Sequence, residues 1–227
     1  MKIDAVIMAK STMFGNFCVA GIDIITGKWV RFVAFETGKP LADFNLMFVN
    51  DSGSCEPLDV GRIGIARKVP KHNHTEDCMI KYTAWLKMGR MKLEEVLKIH
   101  PPEEHKYIFG TPRDFIDKTE MSRLKLNYSL ILIHVEKLKI YFVSNFSGNI
   151  RGRADFIYNG VNYKNIRVTD PNYEPNTIIA KKFSVSIPEA YLVMSMPAKD
   201  FNGKYYKLIA KIFPKERKKE KENLIPH

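Results

Sequence analysis

The stretch Arg153-Ala154-Asp155-Phe156-Ile157-Tyr158-Asn159-Gly160-Val161-Asn162-Tyr163-Lys164-Asn165-Ile166-Arg167-Val168 consists of two alternating runs joined by Asn-Gly. Both turn residues tolerate positive φ, so the dipeptide predicts a two-residue β-hairpin. With side chains alternating at period two, Ala154, Phe156, Tyr158, Val161, Tyr163, Asn165 and Arg167 share one face. Arg153, Asp155, Asn162 and Lys164 share the other. Three aromatics on one face have two readings. Exposed, they are a stacking platform for unpaired bases, with Lys137, Lys139, Arg151, Arg153, Lys181 and Lys182 nearby to follow phosphates. Buried, they are core and the polar face meets solvent.

Outward from the hairpin the chain keeps the same character. Ser129-Leu130-Ile131-Leu132-Ile133-His134-Val135 reads as a buried strand with His134 in the core, residues 137–143 as another or its continuation, and Ser147-Gly148-Asn149 as a turn. Further strands are predicted near 190–196 and 205–212. Upstream, residues 3–9, 17–22, 28–33 and 60–67 are β-rich and separated by Gly15-Asn16, Thr26-Gly27 and Gly53, with Trp29 and Arg31 sharing a strand face. Helix is scarce: residues 92–99 form an amphipathic turn or two ended by Pro101-Pro102, and residues 76–87 are a second possible helix. About five strands per half predicts an all-β fold of two small antiparallel barrels, because closure removes exposed strand edges. The expected units are residues 1–122, 123–214 and a charged, disordered tail at 215–227.

The 227 residues include 36 Lys and Arg against 25 Asp and Glu, a formal charge of +11. The excess is uneven: residues 1–118 hold 17 basic and 15 acidic side chains, residues 119–214 hold 14 and 7. The second half is therefore the expected polyanion-facing half. A hydrophobic content of 45% excludes global disorder. No run reaches the roughly 18–20 apolar residues of a membrane-spanning helix. Met1-Lys2-Ile3-Asp4 and the short apolar run after it lack a secretory signal pattern, and three scattered cysteines suit a reducing compartment. A cytoplasmic address is expected, with no membrane partner.

Chemically competent groups concentrate in His72-Asn73-His74-Thr75-Glu76-Asp77-Cys78. The segment lacks the spacing of a zinc framework, so no metal is predicted, and its adjacent carboxylates point apart on most backbones. It reads first as a loop with a helix-capping acid. Walker, Rossmann, HExxH and G-x-S-x-G motifs are absent, and no cofactor is expected.

Taken in order, Cys18-Val19-Ala20-Gly21-Ile22-Asp23, Thr26-Gly27-Lys28-Trp29-Val30-Arg31, His74-Thr75-Glu76-Asp77, Tyr158-Asn159-Gly160-Val161-Asn162-Tyr163, Val168-Thr169-Asp170-Pro171 and Tyr206-Lys207-Leu208-Ile209-Ala210 resemble the prokaryotic dual OB-domain family. The resemblance implies two tandem OB-type barrels and a nucleic-acid-binding role. It also singles out Trp29, Arg31, His74, Glu76, Asp77, Thr169 and Asp170, although Asp170-Pro171 has a plain turn-forming reading too. The expected function is binding of single-stranded DNA or RNA through Lys137, Lys139, Arg151, Arg153, Tyr158, Tyr163, Lys164, Arg167, Lys181 and Lys182. The alternative is a small-nucleotide site or hydrolase in the first barrel, with Trp29, Arg31, His74, Glu76 and Asp77 converging in one pocket.

Overall fold

The computed structural model describes residues 1–13, 15–144, 148, 150–174 and 184–215. The first barrel is built from β1 (Lys2–Met13), β2 (Asn16–Asp23), β3 (Trp29–Val33), β4 (Asp59–Lys68) and β5 (Asp77–Ile80). β1, β2 and β3 form an antiparallel meander, β3 pairs in parallel with β5, β5 with β4, and β4 returns to β1. The ring is closed. β6 (Leu86–Arg90) pairs with Asp59–Arg62 of β4, beyond the reach of β5 along the same edge, and α1 (Leu93–Ile99) follows it.

The second barrel repeats this order strand for strand. β8 (Leu130–Ser144), β9 (Ile150–Tyr158) and β10 (Val161–Val168) are the meander, β10 pairs in parallel with β13 (Leu208–Pro214), and β11 (Ser184–Ser195) joins β13 to β8. Two copies of one 1-2-3-5-4-1 closure make this an all-β protein of tandem OB-like barrels. A small ribbon of β7 (Phe115–Asp117) and β12 (Lys204–Tyr206) lies beside them, with α2 (Lys118–Leu124) between β7 and β8.

Three apolar cores hold the molecule. Ile3, Ala5 and Ile7 of β1 point into the first barrel with Phe32, Ile63 and Trp85, while Ile131 and Ile133 of β8 point into the second with Phe156 and Tyr163. The third core lies between the barrels. Val6 and Met8 of β1 and Ala20 and Ile22 of β2 meet Leu130 and Leu132 of β8, Val193 of β11, and Ala210 and Phe213 of β13. This explains why Ala5–Ala9 and Leu130–Ile133 are unbroken apolar runs: alternate residues face opposite sides of a strand, and here both sides are buried.

Residues 76–87 form no helix: they hold β5, a loop and the start of β6. Cys78 and Ile80 of β5 enter the first core while the outward Asp77 meets Arg31, a period-two demand that a helix cannot meet. The Asn159-Gly160 turn is present with φ of 47° and 74°. Beyond it the pairing register shifts between Tyr163 and Ile166, and Asn165 takes φ of 59°. That β-bulge turns Ile166 and Val168 inward and Arg167 out, reversing the expected facing of Asn165 and Arg167. His134 is also outside the core, within 3.0 Å of Glu189 and against the ring of Tyr191.

Candidate nucleic-acid interface

The outer surface of β8, β9 and β10 is organised in cross-strand rows. Tyr141 lies opposite Arg153, and Arg153 opposite Arg167; the flanking rows are Val143–Arg151 and Lys139–Asp155. Like charges directly opposite each other destabilise a sheet, so an Arg–Arg pair requires a reason. Asp155 is no counter-ion for it. Its Oδ1 accepts from the Tyr141 hydroxyl at 3.0 Å and from the Asn165 amide at 2.7 Å. Arg153 donates from Nη1 to the Asn165 carbonyl at 3.1 Å, and its buried Nε has no partner. Burial, then the charges of Arg151 and Arg153, hold the Arg167 guanidinium below its ordinary pKa.

Among the described residues, no carboxylate forms an ion pair with Arg151, Arg153, Arg167, Lys139 or Lys164. Lys137 and Lys164 are exposed near the two bulges of this sheet, Lys137 with φ of 52°. The arrangement is a cationic surface with one aromatic ring, Tyr141, in its central row. Alternation along Lys137, Lys139 and Tyr141 was the signal for that ring.

Tyr158 and Tyr163 are not part of this surface, which corrects their assignment as stacking residues. They are 3% and 1% exposed and pack in the second core beside Phe156. Their hydroxyls secure the segment that follows α1: Tyr158 accepts from the His105 amide at 2.8 Å, and Tyr163 accepts from the Ile108 amide at 2.9 Å and donates to the Thr111 carbonyl at 3.0 Å. Burial with satisfied hydroxyls is the core reading of the hairpin. Lys181 and Lys182 lie outside the described residues.

The residues of the alternative site do come together, but as the seam between the barrels. Arg31 Nε donates to Asp77 Oδ1 at 2.6 Å, and its Nη1 donates to Ser129 Oγ of the second barrel at 2.9 Å. Glu76 Oε1 accepts from the Ser129 hydroxyl and from its amide. His74 Nε2 lies 2.9 Å from the Met196 carbonyl, which can only accept, so this nitrogen carries the proton. Burial and the Arg31 charge push the His74 pKa down to about 3, whereas burial raises the Asp77 carboxyl.

Trp29 donates to Glu103 at 2.9 Å and meets His100 edge-on, which fastens the segment after α1. Thr169 and Asp170 form a separate knot. Asp170 accepts from the amides of Asn172 and Ile212 and pairs with the buried Lys211 at 3.1 Å, and Thr169 Oγ1 donates to Ile209 O.

Neither of two clefts among the described residues gathers these side chains. The described clefts are one of about 440 Å³ at Lys2, Arg62 and Lys81, and one of about 120 Å³ that touches only Asp170 of this set. Small-molecule sites run roughly 300–1,000 Å³. Arg31, His74, Glu76 and Asp77 are instead engaged with one another and with Ser129 and Met196 at the seam between the barrels. No three metal-capable side chains gather among the described residues either. Sequence spacing could not reveal Ser129 or Glu103 as partners, since they lie 53 and 74 residues from Glu76 and Trp29.

OB barrels commonly take oligonucleotides on the face of their second and third strands and the adjoining loops. In the first barrel that face is occupied: Ala20 and Ile22 of β2 and Trp29 and Arg31 of β3 press against the second barrel or the segment leading to it. In the second barrel the docking residues come from β8, β11 and β13, so among the described residues the first barrel does not cover the outer face of β9 and β10.

A family model described as the dual OB-containing domain matches residues 3–212. No curated protein and no solved structure matches the chain.

Proposed function

Because the chain belongs to the dual OB-containing domain family, we propose that it binds single-stranded nucleic acid on the outer face of β8, β9 and β10. The observation that carries this reading is the Arg153–Arg167 row, which no carboxylate of the described residues meets in an ion pair, Glu174 acting on Arg167 only at longer range, and which lies on the OB ligand face that barrel docking does not use. A phosphate backbone supplies the missing counter-charge, and the resulting affinity is strongly salt-dependent. Arg151, Arg153, Arg167, Lys139 and Lys164 follow the phosphates, and Tyr141 offers a ring for a base. No helix of the described residues is long and apolar enough to cross a membrane.

Fluorescence anisotropy with labelled single-stranded DNA and RNA tests this. Five phosphate contacts predict a slope of log K against log salt near −3.5, at about −0.7 per contact. The double variant Arg153→Ala/Arg167→Ala is expected to flatten the slope by about 1.4. Absence of binding at low salt, or binding indifferent to salt, overturns the proposal.

A further inference from the structure

The first barrel cannot use its own second- and third-strand face, yet it carries a different cationic cleft. β4 bends at a β-bulge between Ile65 and Arg67; just before it Gly64 pairs with Lys2, and the Lys81 amide donates to the Gly64 carbonyl at 2.8 Å. A Cβ at position 64 would stand 2.7 Å from Thr83 Oγ1, so a larger residue there would displace the Thr83 side chain that lies across the strand. The result is a cleft of about 440 Å³ lined by Lys2, Arg62, Lys81, Thr83 and Leu86. Arg62 is neutralised by Asp4 through two hydrogen bonds of 2.7 Å. Lys2 and Lys81 have no ion-pair partner among the described residues, which leaves the site cationic.

The same short segment presents aromatic surface. Tyr82, between Lys81 and Thr83, is 64% exposed, and its ring meets that of Phe35, 51% exposed, edge-on at 6.4 Å. Lys39 Nζ sits 5.6 Å from the Phe35 ring centroid. Exposed rings beside unpaired cations supply the stacking and electrostatic terms that unpaired nucleic acid uses. A purely apolar partner would leave both lysines without a counter-charge.

We propose that this cleft and the Tyr82–Phe35 pair form a second contact for the single strand, with Lys2, Lys81 and the Thr83 hydroxyl on phosphate and Tyr82 on a base. The inference rests on the reading of the second barrel given above. One strand then touches both barrels, the first at the bend of β4 and the second on β9 and β10.

The test compares the full chain with Lys2→Ala/Lys81→Ala and Tyr82→Ala, using an oligonucleotide of about 30 nucleotides, room for two OB footprints. All three substituted side chains are exposed, and a thermal melt checks that the variants fold. The lysine variant is expected to flatten the salt slope by about 1.4. Tyr82→Ala is expected to weaken binding about 5- to 150-fold, the range of one lost stacking contact. Photo-crosslinking with 5-iodouridine is expected to label the peptide holding Tyr82. If the unaltered chain binds while both variants match it and no crosslink maps there, this second contact is overturned and the second-barrel site stands. If the unaltered chain does not bind at all, both proposals fall.

Discussion

His74 is the residue whose chemistry bears most directly on acid stability. It is buried at the barrel seam with Nε2–H directed at Met196 O, and Arg31 nearby disfavours a second positive charge. Its pKa is about 3 in the folded chain against 6.5 for an ordinary histidine, so the unfolded chain binds the extra proton first. Stability is therefore whole above pH 6.5 and falls as pH drops towards 3. The slope is about 1.4 kcal/mol per pH unit, or about 2 kcal/mol between pH 6.5 and pH 5. Asp77, raised by burial, acts in the opposite sense, but only as pH descends through the carboxylate range. Urea unfolding at pH 5, 6 and 7 checks this against His74→Gln, whose amide retains a donor. Equal pH slopes in the two proteins would show that His74 is not the group responsible.

At the scale of elements, the β9–β10 hairpin sets function against stability. Arg153 and Arg167 oppose each other with no carboxylate of the described residues in an ion pair with either, and like charges directly opposite destabilise a sheet. Arg167→Ser is accordingly expected to leave the melting temperature unchanged or raise it while weakening nucleic-acid binding. A variant that loses both together would identify Arg167 as a structural residue. The hairpin was legible from Asn159-Gly160 because turn chemistry is local. Which face would be buried was not, since Phe156, Tyr158 and Tyr163 suit a stacking platform and a core equally well. Arg167 escaped for a smaller reason: one extra residue at the Lys164–Asn165 bulge reverses every side chain after it. Likewise the alternation of Trp29 and Arg31 revealed their shared face, whereas what covers that face comes from residues far along the chain.

For the whole molecule, the apolar runs at 5–9 and 130–133 announced strands buried on both sides, and it is the third core that says what lies on their outer side. With that core intact and Arg31, Glu76 and His74 bonded across the seam, the barrels should unfold as one unit rather than as two tethered domains. Leu132 tests this because it is fully buried, points away from the second barrel's interior and contributes only to the third core. Leu132→Asp would bury a carboxylate with no counter-ion at the docking surface, a change that removes an apolar contact and adds a desolvation cost of several kcal/mol. The unaltered chain is expected to give a single calorimetric transition with equal calorimetric and van't Hoff enthalpies. In the variant each barrel keeps its own core, so that transition should split in two, with the pieces melting independently. Binding to short oligonucleotides should persist while the β9–β10 face remains folded. Two transitions in the unaltered chain would mean that the seam does not couple the barrels. A single transition in the variant, shifted but unsplit, would mean that one barrel cannot stand without the other.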